Sequence, residues 1–376
     1  MKKTLAALAV LGAFAGSAMA ADVTLYGAVD TGFEYIHTKS TGEKGVDTFD
    51  MQTGWDTPSR WGLKGSEDLG NGYKVSFKLE SGFNSDDGTM GQSNRLFGRE
   101  AGLTLSGPFG SVAFGRFGGI SSSAGTYDML GYVESFDGGD GNVWGFASSS
   151  RYDNMVVYQT PRFAGLQLTA QYSFKTDTKE GDTVGADDKL QYNGDEGTSH
   201  AQRYASVGLS GEYGPASFAV GYELTKYGAN TNGARALDKD GQLVFVGGNY
   251  DFEVVQLFAE AQYFKHQTAI NAGDDATAEL GLGKLGLKGY GLHLGAAAPL
   301  AGGTLTAGLY YVDLSEEAVD QADEDAKYYG VSARYNYPLS ERTSLYAGAG
   351  YGQLKDDDSG NKDQLTQVYC GLVHTF

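Results

Sequence analysis

Residue types that could do chemistry are present in this 376-residue sequence, but their spacing excludes more than it supports. The five histidines, His37, His200, His266, His293 and His374, never stand four apart as ligands on one helical turn would. Cys370 is the single cysteine, so neither an internal disulfide nor a cysteine-based zinc site is available. Gly281-Leu-Gly-Lys-Leu-Gly286 fits a dinucleotide pattern, but it sits inside an alternating strand pattern and no helix follows it. Asp238-Lys-Asp-Gly241 looks like half a calcium loop, yet its twelfth position is Asn249 and not Glu. Acid pairs are too numerous to single out two carboxylates for glycoside hydrolysis. No metal, cofactor or catalytic residue is expected, and a hydrolytic barrel would need a Ser/His or Asp/His cluster at one rim.

What remains is charge on alternating segments. Lysine and arginine number 28 against 47 acids, a net charge of −19, which argues against a nucleic-acid partner. Period-2 alternation runs through most of the chain. Tyr73, Val75, Phe77 and Leu79 oppose Lys74, Ser76, Lys78 and Glu80, and Leu166 to Phe174 and Phe218 to Thr225 repeat the pattern. Outside the N-terminus no apolar run is long enough for a membrane helix. A membrane β-barrel needs apolar residues only at every second position. Trp61 and Leu63 mark one face of their strand, so Arg60 and Lys64 point the other way. Arg151 likewise opposes Val156 and Tyr158.

Residues 1–20 read as an export signal: Lys2 and Lys3, an apolar stretch from Leu5 to Ala15, and an Ala18-Met-Ala20 cleavage site. The working domain is then 21–376. Removing two lysines and no acid takes its net charge from −19 to −21.

The connections discriminate between a soluble sandwich and a barrel. Seven short turns fall at Ser66–Gly72, Ser106–Ser111, Thr160–Gly165, Glu212–Ala216, Asn249–Glu253, Pro299–Gly303 and Tyr337–Arg342. Eight long loops alternate with them: His37–Thr48, Asn84–Gln92, Phe117–Ser150, Thr176–His200, Gly228–Gln242, Lys265–Thr277, Leu314–Ala326 and Lys355–Asp363. That alternation predicts an all-β fold, a 16-stranded antiparallel transmembrane barrel with both chain ends on the short-turn side. The segment Val368 to Phe376 must close onto the first strand.

These residues resemble the Gram-negative general-diffusion porins, the trimeric 16-stranded outer-membrane barrels. Val23-Thr-Leu-Tyr-Gly-Ala-Val-Asp30 is similar to that family's first strand, and Ser59 to Gly72 to its second strand and first periplasmic turn. Arg95 to Leu103 and Phe109 to Arg116 resemble the fourth and fifth strands, and the terminal Phe376 matches the barrel-assembly signal. The resemblance implies short periplasmic turns, long extracellular loops and a third loop folded inward to narrow the pore. It places Asp128, Glu134 and Asp137 of that loop on the acidic side of a constriction. Arg60, Arg99 and Arg151 form the opposing basic cluster, with Arg116 as a fourth member. Arg99 shares parity with Ala101, Leu103 and Leu105, so only the resemblance turns it inward.

The function implied is a homotrimeric, water-filled channel of the outer membrane for small hydrophilic solutes and ions. Opposite fixed charges across a narrow neck favour solutes that exchange water for side-chain hydrogen bonds. Two alternatives stand beside it. A substrate-specific channel would use lumen-parity aromatics such as Tyr346, Tyr310 and Phe258, and a plugged structural or adhesive barrel would pass nothing. The acidic loops Thr176–His200 and Asp313–Asp325 are candidates for divalent cations shared with lipopolysaccharide. The acidic total favours weak cation preference, which the arginines oppose, and the expected balance is towards cations.

Overall fold

Strands form wherever the alternation runs, and each pairs antiparallel with the next. The computed structural model describes residues 23–376 apart from 124, 137–139, 180–182, 185–189, 192–193, 230–234, 236, 269, 271–285 and 318–323. The proposed export signal, Asp137 and most of the Gly281–Gly286 pattern lie outside the described residues.

The strands are β1 (Thr24–Ser40), β2 in two segments (Val46–Thr53 and Arg60–Gly70), β3 (Tyr73–Gly82), β4 (Glu100–Gly107), β5 (Gly110–Gly118), β6 (Arg151–Gln159), β7 (Leu166–Ser173) and β8 (Arg203–Tyr213). They continue as β9 (Ala216–Lys226), β10 (Gly241–Asp251), β11 (Gln256–Gln267), β12 (Leu287–Leu300), β13 (Gly303–Glu316), β14 (Glu324–Ser340), β15 (Thr343–Asp356) and β16 (Lys362–Thr375). Both segments of β2 pair with β1, the first against Thr31–Thr38 and the second against Thr24–Ala28, so they form one interrupted barrel strand. β16 returns to β1 from Ala28↔Thr375 to Ser40↔Asp363, which closes a 16-stranded barrel. The tight turns are 71–72, 108–109, 160–165, 214–215, 252–255, 301–302 and 341–342; all fall inside the predicted short connections except 252–255, which overlaps Asn249–Glu253 and runs two residues past it. The first long connection is shorter than predicted, because β1 runs for 17 residues and carries its hairpin well past the ~9–11 needed to cross a bilayer.

At the seam, Phe376 and Gly27 each donate an N–H to the other's carbonyl at 3.0 Å. Gly27 is required there: a Cβ would run into the Phe376 ring and come within 2.6 Å of the Arg60 carbonyl.

Burial is inverted relative to a soluble protein. Leu25, Val29, Phe33, Leu103, Leu105, Val220, Tyr222, Leu292, Leu294, Leu309, Val331, Val368 and Leu372 are exposed. Asp30, Glu34, Glu80, Glu100, Glu223, Glu260, Gln262 and Gln367 are buried. Water outside such a surface would cost roughly 1.5–3 kcal/mol per large apolar side chain relative to an apolar medium, so the outer face belongs in lipid.

The longest loop, 119–150, folds into the lumen. Its Ile120, Met129, Leu130, Val133, Trp144 and Phe146 form one apolar cluster with Ala219 of β9, Leu243 and Phe245 of β10, Phe264 of β11, Tyr310 and Val312 of β13 and Tyr328 of β14. Both ends of the loop are tied to Glu223 of β9, which accepts from Ser121 N at 3.0 Å, Ser121 Oγ at 2.9 Å and Ser149 Oγ at 2.9 Å. One side of the loop is thereby fixed to the β9–β14 wall, and its polar edge faces β1–β4.

Candidate functional site

Between that polar edge and the opposite wall lies a cavity of ≈ 720 Å³. Arg60, Lys78, Glu80 and Arg99 line it from the β2–β4 side, Glu34 and residues 52–58 from β1 and the interruption of β2, and Arg334 from β14. The loop contributes Ser123, Gly125, Thr126, Gly141 and Asn142. This is the neck of the barrel.

The basic wall is organised by two inward carboxylates. Arg99 Nε donates to Glu80 Oε1 at 2.6 Å, and Tyr26 OH donates to Glu80 Oε2 at 2.8 Å. Arg60 Nε and Lys78 Nζ lie 3.9 and 3.6 Å from the same Oε2. Lys78 is also ion-paired with Glu100. Glu100 in turn accepts from Thr126 N at 2.6 Å and Thr126 Oγ1 at 3.1 Å, so it ties the near edge of the loop to β4. Arg99 reaches the cavity despite its sequence parity because it sits at a bend before β4 begins, where strand alternation does not yet apply.

The other cations fall elsewhere. Arg151 opens β6 and is absent from the cavity lining; its Nε is buried without a partner among the described residues. Arg116 donates through Nε to the Gly98 carbonyl at 2.8 Å and through Nη1 to Asp153 at 2.6 Å. Asp153 is shared with Arg95 at 3.2 Å, and Arg95 also pairs with Asp177 at 2.6 Å. Asn154 beside it has φ +51°, and the β5–β6 register shifts here, so simple parity fails on this strand.

On the loop, Asp128 Oδ1 accepts from Ser123 N at 3.1 Å and Leu130 N at 3.3 Å, bracing the short 3-10 turn Leu130–Tyr132. Glu134 is 2 % exposed and accepts from Trp144 Nε1 at 3.0 Å, within the part of the loop that packs on the barrel wall. A further acid of the loop, Asp140, stands next to the lining residues Gly141 and Asn142. It is fully buried, accepts from Tyr369 OH, and lies 3.5 Å from Arg334 Nη1. Burial pushes its carboxyl above the ordinary carboxylate range, with Arg334 opposing that rise.

Arg334 is the residue that parity could have offered and did not single out. Its Nη1 donates to the Trp55 carbonyl at 3.0 Å, and its Nε lies 3.2 Å from Asp56 Oδ1. Trp55 stacks on Tyr369 at 5.2 Å between centroids. The Trp55–Pro58 segment is held inward by Asp30, whose Oδ2 accepts from Asp56 N at 2.9 Å and Thr57 N at 2.8 Å. The sequence signal was Gly54 and Pro58 inside an otherwise regular strand, since proline donates no ladder hydrogen bond. The interruption of β2 is thus a second inward projection facing residues 140–142 of the loop.

Tyr310, Tyr346 and Phe258 are all buried, at 3 %, 3 % and 9 % exposure, and so offer no aromatic track to a solute. Among the described residues no group of three His, Cys, Asp or Glu could hold a metal ion.

A family model described as Gram-negative porin matches residues 6–358. An outer membrane porin protein of Bordetella pertussis is 34 % identical over 410 residues, covering 100 % of both chains. Outer membrane porin protein 32 of Delftia acidovorans is 32 % identical across 99 % of this chain and 95 % of its own length. Among solved structures, the anion-selective porin from Comamonas acidovorans superposes with a TM-score of 0.68 at 26 % identity, covering 95 % of this chain and 100 % of that one. A lipid-facing barrel with a charged, loop-narrowed lumen and end-to-end relatives of this kind leaves one assignment: the chain belongs to the Gram-negative porins, diffusion channels of the outer membrane.

Proposed function

We propose that the channel passes small hydrophilic solutes without catalysis, prefers anions, and works as a homotrimer after removal of residues 1–20. The preference for anions rests chiefly on the distribution of charge about the neck. The net charge of −19 is a property of the whole sequence. Arg60, Lys78, Arg99 and Arg334 line the cavity opposite three carboxylates, Glu34, Asp56 and Glu80, of which Glu80 and Asp56 are in contact with those cations. A passing anion therefore meets four guanidinium and ammonium groups against three carboxylates, two of which are shared with those cations. The anion-selective porin from Comamonas acidovorans supports the same reading.

Arg60 and Arg99 touch the solute in this reading, and Arg151 adds positive potential behind them. Arg116, bonded to Asp153 and the Gly98 carbonyl, braces the wall. Asp128 and Glu134 shape the loop, and Phe376 seals the seam. Acidic extracellular loops hold divalent cations shared with lipopolysaccharide, so EDTA is expected to lower the oligomer's melting temperature. An unchanged melting temperature would remove that role.

Swelling of proteoliposomes in sugars of increasing size tests the open channel directly. Rapid swelling with monosaccharides that slows steeply for larger sugars is the expected result. Absence of swelling by correctly folded protein would instead favour a plugged barrel.

A further inference from the structure

Below the neck, on the periplasmic side, the register lays three rows of side chains across the lumen face of β1–β4. The first row is Thr24, Lys64, Lys78 and Gly102. Ser66, Ser76 and Thr104 form the second, and Asp68, Lys74 and Ser106 the third. Successive rows are about 6.5 Å apart, two residues of strand rise. A pocket of ≈ 450 Å³ opens over them, lined by Lys64, Lys74, Lys78, Thr126 and Tyr127, with Phe117 against Gly102. Lys78 and Thr126 also line the neck cavity, so the two spaces meet at these side chains.

The charge state of the two spaces differs. Every cation of the neck wall is close to a carboxylate: Arg99 and Arg60 to Glu80, and Lys78 to Glu80 and Glu100. Lys64 and Lys74 have no carboxylate partner among the described residues. Lys64 Nζ lies 5.1 Å from the centre of the Tyr26 ring. Asp68 stands cross-strand from Lys74, but its Oδ1 accepts from Gly70 N at 2.8 Å within the turn.

Resting on the porin reading, we propose that Lys64 and Lys74, with the hydroxyl row of Ser66, Ser76 and Thr104 between them, form a binding station for small dianionic oxyanions. Two ammonium groups on flexible stems close over one doubly charged ligand, and the hydroxyls donate to its remaining oxygens. The shared chemistry is that of a short dicarboxylate or of inorganic phosphate. Lys78 links the station to the neck, so an anion leaving Arg99 and Arg60 passes down a graded series from paired to unpaired cations.

The test uses the full-length protein in planar bilayers, with succinate or inorganic phosphate titrated against the KCl current. Wild-type current should fall saturably with one or both anions. The double variant K64Q/K74Q should raise the half-blocking concentration at least about fivefold, and K64R/K74R should restore it. Block by succinate alone identifies a carboxylate station, block by phosphate alone a phosphate station, and block by both a general oxyanion station. Equal block of wild type and K64Q/K74Q, or no block of a conducting wild-type channel, overturns the station while leaving the porin reading intact. A folded wild type that carries no current contradicts the porin reading instead.

Discussion

Arg334 Nε on β14 lies 3.2 Å from the Asp56 carboxylate in the interruption of β2. The same guanidinium donates to the Trp55 carbonyl and approaches Asp140 of the inward loop. Three separate parts of the chain therefore converge on one side chain, and the neck is expected to widen without it. In R334Q the planar fork is lost and the buried Asp140 carboxylate loses its only cation among the described residues, a local cost of about 3–5 kcal/mol. The expected outcomes are a lower melting temperature and a larger size limit in sugar swelling. A variant with wild-type size limit would show that the loop is held elsewhere, at Glu223 and Glu100.

Closure of the barrel depends on Gly27. In G27A the new methyl group meets the Phe376 ring and the Arg60 carbonyl, and either the seam or the Arg60 backbone must shift. Overpacking of this kind costs about 1–3 kcal/mol. Heat-dependent gel mobility should show unfolding at lower temperature for G27A. Deleting Phe376 should be worse, because two seam hydrogen bonds go with it.

Asp140 carries a pH signature. Its folded-state pKa is raised, so its contribution to stability is fully present below the ordinary carboxylate pKa and is lost as pH rises through the folded value. D140N is neutral throughout. The melting temperature of the wild type relative to D140N should therefore rise as the solution is acidified from neutrality through the carboxylate range. A difference that falls on acidification would mean that Arg334 holds the Asp140 carboxyl below its ordinary range, and a flat one that the folded and unfolded pKa are equal; either contradicts the prediction.

Most of the barrel was legible because two simple periods carried it. Alternation gave the faces, and Gly or Pro gave the turns, so the short connections fell where Asn71–Gly72, Gly214–Pro215 and Ala301–Gly302 stand. Arg60 could be read the same way, since β2 is regular from Arg60 onward. Parity misled at Arg99, which precedes its strand, and offered no safe guide at Arg151 and Arg116, where Asn154 and a register shift break the alternation. The loop acids were harder still. Asp128, Glu134 and Asp140 differ in what the folded loop presses them against, and no local pattern encodes that. Arg334 was hidden for the same reason: its partners, Trp55, Asp56 and Asp140, become neighbours only once the barrel has closed.

The proposed channel is open and its neck favours anions, although the chain is strongly acidic. The reversal potential of single channels in a tenfold KCl gradient tests it most directly. Chloride preference is predicted for the wild type, with the R60Q and R99Q variants each moving the potential towards that of potassium. A wild-type potential on the potassium side would contradict the account and hand control of selectivity to the acidic loops.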